Sequence, residues 1–315
     1  MLDKNELMMI GIDGGGTHTR GAIYKGNNLI AQMKSGTTRI GAVGVGESSE
    51  RTLNVIMELC KKAEVEASEI DAVVVGVAGV WLEEEKKRSQ NLIRTLARGQ
   101  KVVLNDLMVT SDAEIALQGA LGDDNGVIII VGTGSISLGK FGNDIIRCGG
   151  WGIELDDEGS GAWIGREGLT AVVRAIDGRG ETTVLIDKLS ELYPTINLEE
   201  PRTIVKAYAE RAFEYQMLTP YIMQAAENND AVCLEIIQRA AKRLVELPKA
   251  IKKKTAKKSI NIALLGGIIE ANTLLKNILE DEIKKIEGLE LIEPKGTPID
   301  GAIYLAGKMI EQEIQ

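Results

Sequence analysis

The feature that most constrains the fold is a glycine turn near the start of the chain, with an apolar run on each side. The first run ends at Asp13, residues 14–17 read GGGT, and the returning run ends in the hairpin signal KGNN at 25–28. This pattern predicts two antiparallel strands joined by the turn. The turn therefore differs from a P-loop or a dinucleotide fingerprint, because both of those open a helix.

Length and composition limit the class of protein. The 315 residues suffice for two domains with separate cores, and the net charge of -9 argues against nucleic-acid binding. The three scattered cysteines fit neither a zinc site nor a disulfide framework, which favours a reducing cytoplasm. We find no secretory signal and no apolar run long enough to span a membrane. With a single histidine, acid–base chemistry falls to carboxylates.

The first half of the chain alternates strands and helices after the opening hairpins, which predicts a mixed sheet covered by helices. Expected elements are strands to about residue 35, a glycine- and threonine-rich loop at 36–44, a helix at 48–63, a strand at 71–77, a helix at 83–98 and a strand at 101–104 that ends at Asn105-Asp106.

The opening pattern then recurs, which indicates an internal duplication of the fold. We expect a strand at 126–131, a small-residue turn at 132–135, strands at 136–141 and 145–147, mostly helix at 167–250, strands at 260–265 and 290–292, and a terminal helix at 298–312. No low-complexity linker separates the halves, so we expect the domain boundary to be a hinge near residues 117–122.

Both glycine turns are candidate phosphate sites, because a backbone without Cβ atoms can bring N–H groups close to an anion. Two such turns facing each other across a cleft would hold a polyphosphate from both sides. The alternative is that each is only a tight turn. The candidate residues are Gly14, Gly15, Gly16 and Thr17 in the first turn and Gly132, Thr133, Gly134 and Ser135 in the second.

Two acids leave alternatives open. Asp13 is either the acceptor in an Asx-type turn or a Mg²⁺ ligand through water. Asp106 is either the cap of the following helix or a base at the carboxyl end of a strand, where ligands of open α/β sheets collect. Similarly, Trp151 and Trp163 are either core residues or faces on which a sugar stacks.

The chain resembles the N-acetylglucosamine kinase-like proteins, grouped with the BadF/BadG/BcrA/BcrD-type ATPases in the actin, Hsp70 and sugar-kinase superfamily. The motifs that carry the resemblance span the chain in the family's order: GIDGGGT at 11–17, LND at 104–106, GTGS at 132–135, GGWG at 149–152, DEGS at 157–160, WIG at 163–165 and LLGG at 264–267.

The resemblance implies an α/β fold of two ribonuclease-H-like, actin-like ATPase domains around a nucleotide cleft. The domains would be residues 1–118, joined by the C-terminal helix 298–315, and residues 119–297. ATP and Mg²⁺ would bind between them, with Asp13 as the metal-linked acid and Asp106 as the base for a sugar hydroxyl, usually the 6-hydroxyl. Gly266 and Gly267 would contact adenosine, and the substrate residues would be Asn105, Asp106, Trp151, Gly152 and Asp157.

The resemblance therefore implies ATP-dependent phosphorylation of a hexose or amino sugar. The enzyme that catalyses it would be a cytoplasmic homodimer. The alternative is an ATPase that couples hydrolysis to conformational change in a partner protein. One departure bears on the substrate: Arg39 and Gly41 occupy places where many relatives carry sugar-binding asparagines. Arg39 either binds an anionic substrate or lies on the surface. The sequence therefore does not determine which sugar is the substrate.

Overall fold

Two five-stranded mixed sheets organise the chain, one in each of two units. The computed structural model describes residues 5–210, 212–271 and 273–314. The first unit ends at Asp124 and resumes at Glu293, and the second spans Asn125–Ile292. From the sequence we placed the corresponding boundaries at residues 118 and 297.

The first unit contains a sheet with the strand order β3-β2-β1-β4-β5. The two hairpin pairs are antiparallel, whereas β4 lies parallel to both β1 and β5. Its strands are β1 (Met8–Gly14), β2 (His18–Lys25), β3 (Asn28–Gly36), β4 (Ala72–Val77) and β5 (Asp106–Ser111); its helices are α1 (Ile40–Ala63), α2 (Glu83–Gly99), α3 (Asp112–Leu121) and, from the end of the chain, α11 (Pro298–Ile314).

Strand β1 is central because its side chains are buried on both faces of the sheet. Ile10 and Ile12 pack with α1 residues such as Ile56, whereas Met9 packs with Ala302 of α11 on the other face. A central strand covered on both faces needs such a continuous apolar run, and the sequence provides one. The carboxyl end of β1, with Asp13, is thereby held at the edge of a rigid sheet.

The second unit has the order β10-β9-β6-β7-β8 and an insertion of helices. Its largest apolar core lies between one face of the sheet and these helices. The strands are β6 (Gly126–Val131), β7 (Ser135–Phe141), β8 (Asp144–Gly149), β9 (Ile260–Leu265) and β10 (Leu289–Leu291); the helices are α4 (Gly161–Ile176), α5 (Leu185–Leu192), α6 (Arg202–Ala209), α7 (Thr219–Glu227), α8 (Ala231–Thr255), α9 (Gly267–Glu270) and α10 (Leu274–Lys284).

The internal duplication predicted from the sequence is confirmed. In each unit an antiparallel meander of three strands is followed by two parallel strands. The first of these pairs with the first strand of the meander, and the second pairs with that added strand. The mostly helical character of residues 167–250 and the strand at 260–265 are also confirmed. None of the helices in the described ranges is both long and apolar enough to cross a membrane.

The predicted strand at 101–104 is wrong, and the error moves Asp106. The Val102 N–H donates to the Ala97 carbonyl and so closes the end of α2, which removes this residue from any sheet ladder. The strand is β5, five residues later, with Leu107 and Val109 facing the core. Asp106 consequently begins the strand, paired with Ala72, instead of ending one.

Two smaller predictions also need correction. The loop expected at 36–44 is only residues 37–39, because α1 begins at Ile40 and continues across a kink at Gly44, whose φ is 79° and ψ is 160°. The hinge expected at 117–122 falls largely inside α3, where Leu117 and Leu121 are fully buried. Helix propensity and burial decide this segment, because its leucines and alanines pack as a helical face.

Helix α11 packs against α3 through glycines. A Cβ on Gly301 would overlap the Ile115 carbonyl oxygen, and a Cβ on Gly119 would overlap the Thr297 carbonyl oxygen. The backbones therefore approach more closely than any side chain permits, which lets α11 cover Met9 and Gly11 of β1.

We expect Gly301→Ala to lower the free energy of unfolding by about 3 kcal/mol, since backbone atoms have little room to yield. Gly307→Ala is the matched control on the same helix, because no atom lies within 4 Å of its added Cβ. That control should stabilise the protein by up to about 1 kcal/mol through helix propensity. Urea denaturation of both variants tests this, and equal effects would contradict the packing argument.

Candidate active site

The first glycine turn is fixed from one side by Thr37. Its hydroxyl donates to the carbonyl oxygens of Gly15 and Gly16, at 3.0 and 3.1 Å. Gly14 ends β1 and has no room for a side chain, because a Cβ would overlap the Thr38 hydroxyl and lie 2.8 Å from the Gly76 carbonyl. Gly16 and Thr17 remain exposed at the tip. The turn is thus held in place while its tip stays accessible to a ligand.

Asp13 lies next to this turn at the carboxyl end of β1. In the sheet register it is opposite Arg20 of β2 and Gly76 of β4. The Arg20 Nε atom is 3.9 Å from the Asp13 Oδ2 atom, and Asp13 is buried. A buried carboxylate at the end of a strand is the kind of group that holds Mg²⁺ through water.

Asp112 is the second acid at this edge, and sequence reasoning missed it. It directly follows β5, whose last residue Ser111 is paired with Val77 of β4. Because a Cβ on Gly76 would lie 3.1 Å from the Asp112 Cα atom, the missing side chain allows α3 to begin here. The signal that could have found it is the capping box at 111–114, where Ser111 is followed three residues later by Glu114.

Burial raises the pKa of the Asp112 carboxyl to about 6, and the negative charge of Asp13 adds to the rise. Donation from the Ala113 N–H to Asp112 Oδ1, at 2.9 Å, and the positive charge of Arg39 act in the opposite direction. A carboxyl with a pKa near 6 is ionised at neutral pH and is a stronger base than an ordinary aspartate. Asp112 is therefore suited to accept a proton from a hydroxyl.

The candidate base Asp106 and its neighbour Asn105 lie at the opposite end of β5. Asp106 is paired with Ala72, whereas Asp13 is aligned with Gly76 of the same strand β4. The Asn105 amide donates to the carbonyls of Ser68 and Ile70, at 2.9 and 2.8 Å. The prediction that Asn105 and Asp106 lie at a ligand-binding strand end is therefore wrong, because β5 begins at Asp106 and does not end there.

A polar network next to Asp112 fixes the start of α3. Glu114 Oε2 accepts from the Ser111 N–H at 3.0 Å, from the Ser111 hydroxyl at 2.9 Å and from the Thr110 hydroxyl. Lys86 of α2 donates to Glu114 Oε1 at 2.9 Å. Burial alone would raise the pKa of Glu114, yet these donors hold it below its usual value. Glu114 is thus an ionised anchor for the segment that carries Asp112.

The second glycine turn packs against the N-terminus of α4. The Gly161 N–H donates to Gly132 O at 2.8 Å, and the Ala162 N–H donates to Thr133 O at 3.1 Å. The Ser135 hydroxyl donates to Glu158 O at 3.0 Å. The structure therefore brings residues 132–135 together with the DEGS motif at 157–160.

Asp157 joins this turn to the predicted substrate residues. Its Oδ2 atom lies 2.7 Å from the position of a Cβ on Gly134, and its Oδ1 atom accepts from the Gly152 N–H at 3.2 Å. Trp151 is 66% exposed, and the Arg147 guanidinium lies 4.7 Å from its ring centroid. Trp163, in contrast, is buried in the core of the second unit.

Gly266 and Gly267 connect β9 to α9. Gly266 has a φ of 101°, and a Cβ there would overlap the Val131 carbonyl oxygen at the end of β6. Gly267 faces open space and is exposed. The second unit thus places these two glycines and the turn at 132–135 at the same end of its sheet, because β6 and β9 are parallel.

The duplicated sheet order, together with a glycine turn at the corresponding place in each unit, defines the actin-like ATPase fold built from ribonuclease-H-like units. The chain belongs to the BadF/BadG/BcrA/BcrD ATPase family, whose sequence profile matches residues 10–306.

The chain is similar to two curated relatives over nearly its whole length. It is 31% identical to an N-acetylmuramic acid/N-acetylglucosamine kinase of Clostridium acetobutylicum, with 95% of this chain and 97% of the relative covered. It is 29% identical to an N-acetyl-D-glucosamine kinase of Dictyostelium discoideum, with the same coverage.

A solved structure has the same fold. It is that of a proposed N-acetylglucosamine kinase from Chromobacterium violaceum, with a TM-score of 0.79 and 24% identity, covering 96% of this chain and 99% of that one. The predicted fold class is thereby confirmed.

We expect Lys86→Met to lower the free energy of unfolding by about 3 kcal/mol, because it leaves the half-buried Glu114 carboxylate without its cation. Lys87→Met is the matched control on the exposed face of α2 and should change stability by less than about 0.5 kcal/mol. Adding Glu114→Gln to Lys86→Met should recover part of the loss. Chemical denaturation measures all three, and equal effects of the two lysine variants would contradict the network.

Asp112→Asn should stabilise the protein at high pH. Since folding raises this pKa from 3.8 to about 6, the ionised carboxyl costs folding free energy above pH 6, on the order of 3 kcal/mol, and the cost disappears below pH 3.8. Asparagine keeps the acceptor for the Ala113 N–H but carries no charge. Denaturation at pH 8 and pH 4 tests this, and a gain of equal size at both values would refute it.

Proposed function

We propose that the chain is an ATP-dependent kinase of an amino sugar of the N-acetylglucosamine type, with Asp112 as the proton acceptor. The observation that carries the proposal is a carboxyl with a pKa of about 6 beside Asp13, at the end of β5 and next to the first glycine turn. Phosphoryl transfer needs a base of this kind for the acceptor hydroxyl.

In the proposed reaction the sugar hydroxyl oxygen, at position 6 by the family resemblance, attacks the γ-phosphorus of ATP. The bond between that phosphorus and the β–γ bridging oxygen breaks, and ADP leaves. Asp112 accepts the hydroxyl proton on a carboxylate oxygen. Most of the rate enhancement comes from positioning and charge stabilisation, as is general for phosphoryl transfer.

For ATP we propose contacts with both glycine turns and with Gly266 and Gly267. Exposed backbone at the first turn and the open space at Gly267 support this, because both allow a ligand to approach the main chain. For Mg²⁺ we propose Asp13, since Mg²⁺ in kinase sites binds one or two carboxylates, waters and substrate phosphates. The ion would neutralise the charge that develops on the phosphates.

For the sugar we propose Trp151, Gly152 and Asp157 of the second unit. The Arg147 guanidinium lies over the Trp151 ring and also donates to the Gly149 carbonyl at 3.1 Å, which orders this exposed aromatic side chain. Ordered aromatic rings are suitable faces for sugar stacking. The carboxylate of Asp157 adds a hydroxyl acceptor next to the second turn.

The activities of the relatives support the amino-sugar substrate, because both curated relatives are kinases of N-acetylated sugars. The alternative within this family is an ATPase that couples hydrolysis to a partner protein. A cytoplasmic location and a homodimeric state remain predictions from the resemblance.

The experiment is a panel of N-acetylglucosamine, glucosamine and glucose with ATP and Mg²⁺, followed by coupled detection of ADP. We expect release of ADP that depends on an amino sugar, and kcat/KM that rises with pH through about 6 as Asp112 loses its proton. Asp112→Asn should lower kcat by 10²- to 10⁴-fold, the usual contribution of a general base.

Asp106→Asn is the control, because this acid lies at the other end of β5. It should retain kcat within about threefold, as expected of a residue away from the chemistry. ADP release that no sugar stimulates and that Asp112→Asn leaves intact would overturn the kinase proposal in favour of the partner-coupled ATPase. A loss with Asp106→Asn alone would restore that residue as the base.

A further inference from the structure

Helix α2 presents a polar face to the start of α1. Side chains at intervals of three or four residues share one face of a helix, and such a set lines a groove together with Val45 of α1. The groove has a volume of about 600 Å³, which is within the range of roughly 300–1,000 Å³ that is usual for small-molecule sites. The polar residues of α2 in this groove are Glu84, Lys87, Arg88, Asn91 and Thr95.

Glycines at the start of α1 keep the groove open. Three of the seven residues 40–46 are glycines, and Cβ atoms on Gly44 and Gly46 would meet nothing within 4 Å. Val45 lies between these two glycines, is half-buried and forms an apolar wall with Leu92 of α2. The groove therefore combines polar side chains with an apolar wall and accessible backbone.

Three charged side chains in the groove are unpaired. Glu84 lies three residues before Lys87 and four before Arg88, a spacing that permits ion pairs within a helix. Within the described part of the chain, however, none of these three side chains has a hydrogen-bond or ion-pair partner. Lys86, on another face of α2, donates in contrast to Glu114 at 2.9 Å. The groove thus offers one negative and two positive charges to a ligand.

We propose that this groove is a second ligand site, which binds a phosphate monoester that also carries an ammonium group, such as a phosphorylated amino sugar with a free amine. A phosphate dianion and an ammonium balance two cations and one carboxylate. Lys87 and Arg88 bind the phosphate, and the planar guanidinium supplies two parallel hydrogen bonds. Glu84 accepts hydrogen bonds from the ammonium. This ligand differs from the phosphorylated product of an N-acetylated sugar, because an acetamido group carries no positive charge.

The other groove residues suit a hydroxylated ring. Among the residues that the structure describes, the Asn91 side-chain amide has no partner. The Thr95 hydroxyl donates to the Asn91 carbonyl at 2.8 Å and keeps its capacity to accept. Both side chains can therefore bind ring hydroxyls, while Val45 and Leu92 cover the apolar face of the ring. Inorganic phosphate uses the two cations alone and should bind less tightly.

The groove is connected to the first glycine turn through α1. Val45 directly follows Gly44, where the φ of 79° and ψ of 160° interrupt the helix. On the other side of this kink the Ile40 N–H donates to the Ala78 carbonyl at 3.2 Å, and the preceding Thr37 holds the glycine turn. A ligand that packs on Val45 therefore restrains the kink and, with it, the segment next to the turn.

The experiment is calorimetric titration with glucosamine 6-phosphate, glucose 6-phosphate and inorganic phosphate, without ATP or a sugar acceptor. We expect glucosamine 6-phosphate to bind about fivefold more tightly than glucose 6-phosphate, as for one exposed ion pair. Glu84→Gln should abolish this preference, because it removes the partner of the ammonium. Arg88→Gln should weaken the binding of both sugar phosphates about tenfold, as for loss of a charge-assisted hydrogen bond.

Arg98→Gln is the matched control, because Arg98 is an exposed cation of α2 outside the groove. It should leave all three affinities unchanged. Equal affinities for the three probes would overturn the proposal, since they would show a general attraction of anions. Binding that Arg88→Gln leaves intact and Asp112→Asn abolishes would also overturn it, because the ligand would then occupy the proposed catalytic site.

Hydrogen exchange with and without glucosamine 6-phosphate tests the connection to α1. We expect slower exchange of the amides at residues 40–46 in the parent chain and no change in Arg88→Gln. Binding without this protection would overturn the restraint on the kink. Because no turnover is measured, these results are independent of the kinase proposal: a chain that binds the probe but phosphorylates no sugar would overturn only the proposed function.

Discussion

The sheet edge that carries Asp13 and Asp112 depends on the close approach of α3 to β4 at Gly76. A side chain at this position would overlap Ile115 and crowd the Asp112 backbone, so α3 could not begin where it does. In the register of β1 and β4, Gly76 is also the neighbour of Asp13. One missing side chain therefore brings two carboxyl groups to the same edge, and their mutual repulsion contributes to the raised pKa of Asp112.

Placing the carboxylates of Asp13 and Asp112 close together is unfavourable because their charges repel. The start of α3 partly offsets this cost. Asp112 is the first residue of α3, where the helix dipole favours a negative charge. Ser111 and Glu114 satisfy each other's groups in the capping box, and Lys86 neutralises Glu114. Asp112 itself accepts a hydrogen bond from the Ala113 N–H at Oδ1. Much of the support therefore comes from the residues around Asp112, which hold the start of α3 in place.

The sequence predicted the duplicated fold because hydrophobic runs and glycine turns are local signals. Strands β1, β6 and β9 are continuous apolar runs, and periodicity suffices to find them. It failed at β5, where the apolar stretch 102–104 lies outside the ladder and the true strand ends in Thr110 and Ser111. Tertiary pairing with β4 decides that register, and no pattern within the segment encodes it. Because the strand was placed too early, the sequence reasoning selected Asp106 as the candidate base and missed Asp112, which directly follows the end of β5.

Helix α11 has a consequence for how the chain is made. Residues 293–315 complete the first unit, yet they follow all of the second unit in the sequence. During synthesis the β1 face that carries Met9 and Gly11 stays uncovered until the whole second unit and α11 have left the ribosome. The second unit, Asn125–Ile292, is in contrast a single continuous segment of the chain. The second unit can therefore fold before the first, in the reverse of the order in which the two begin to emerge.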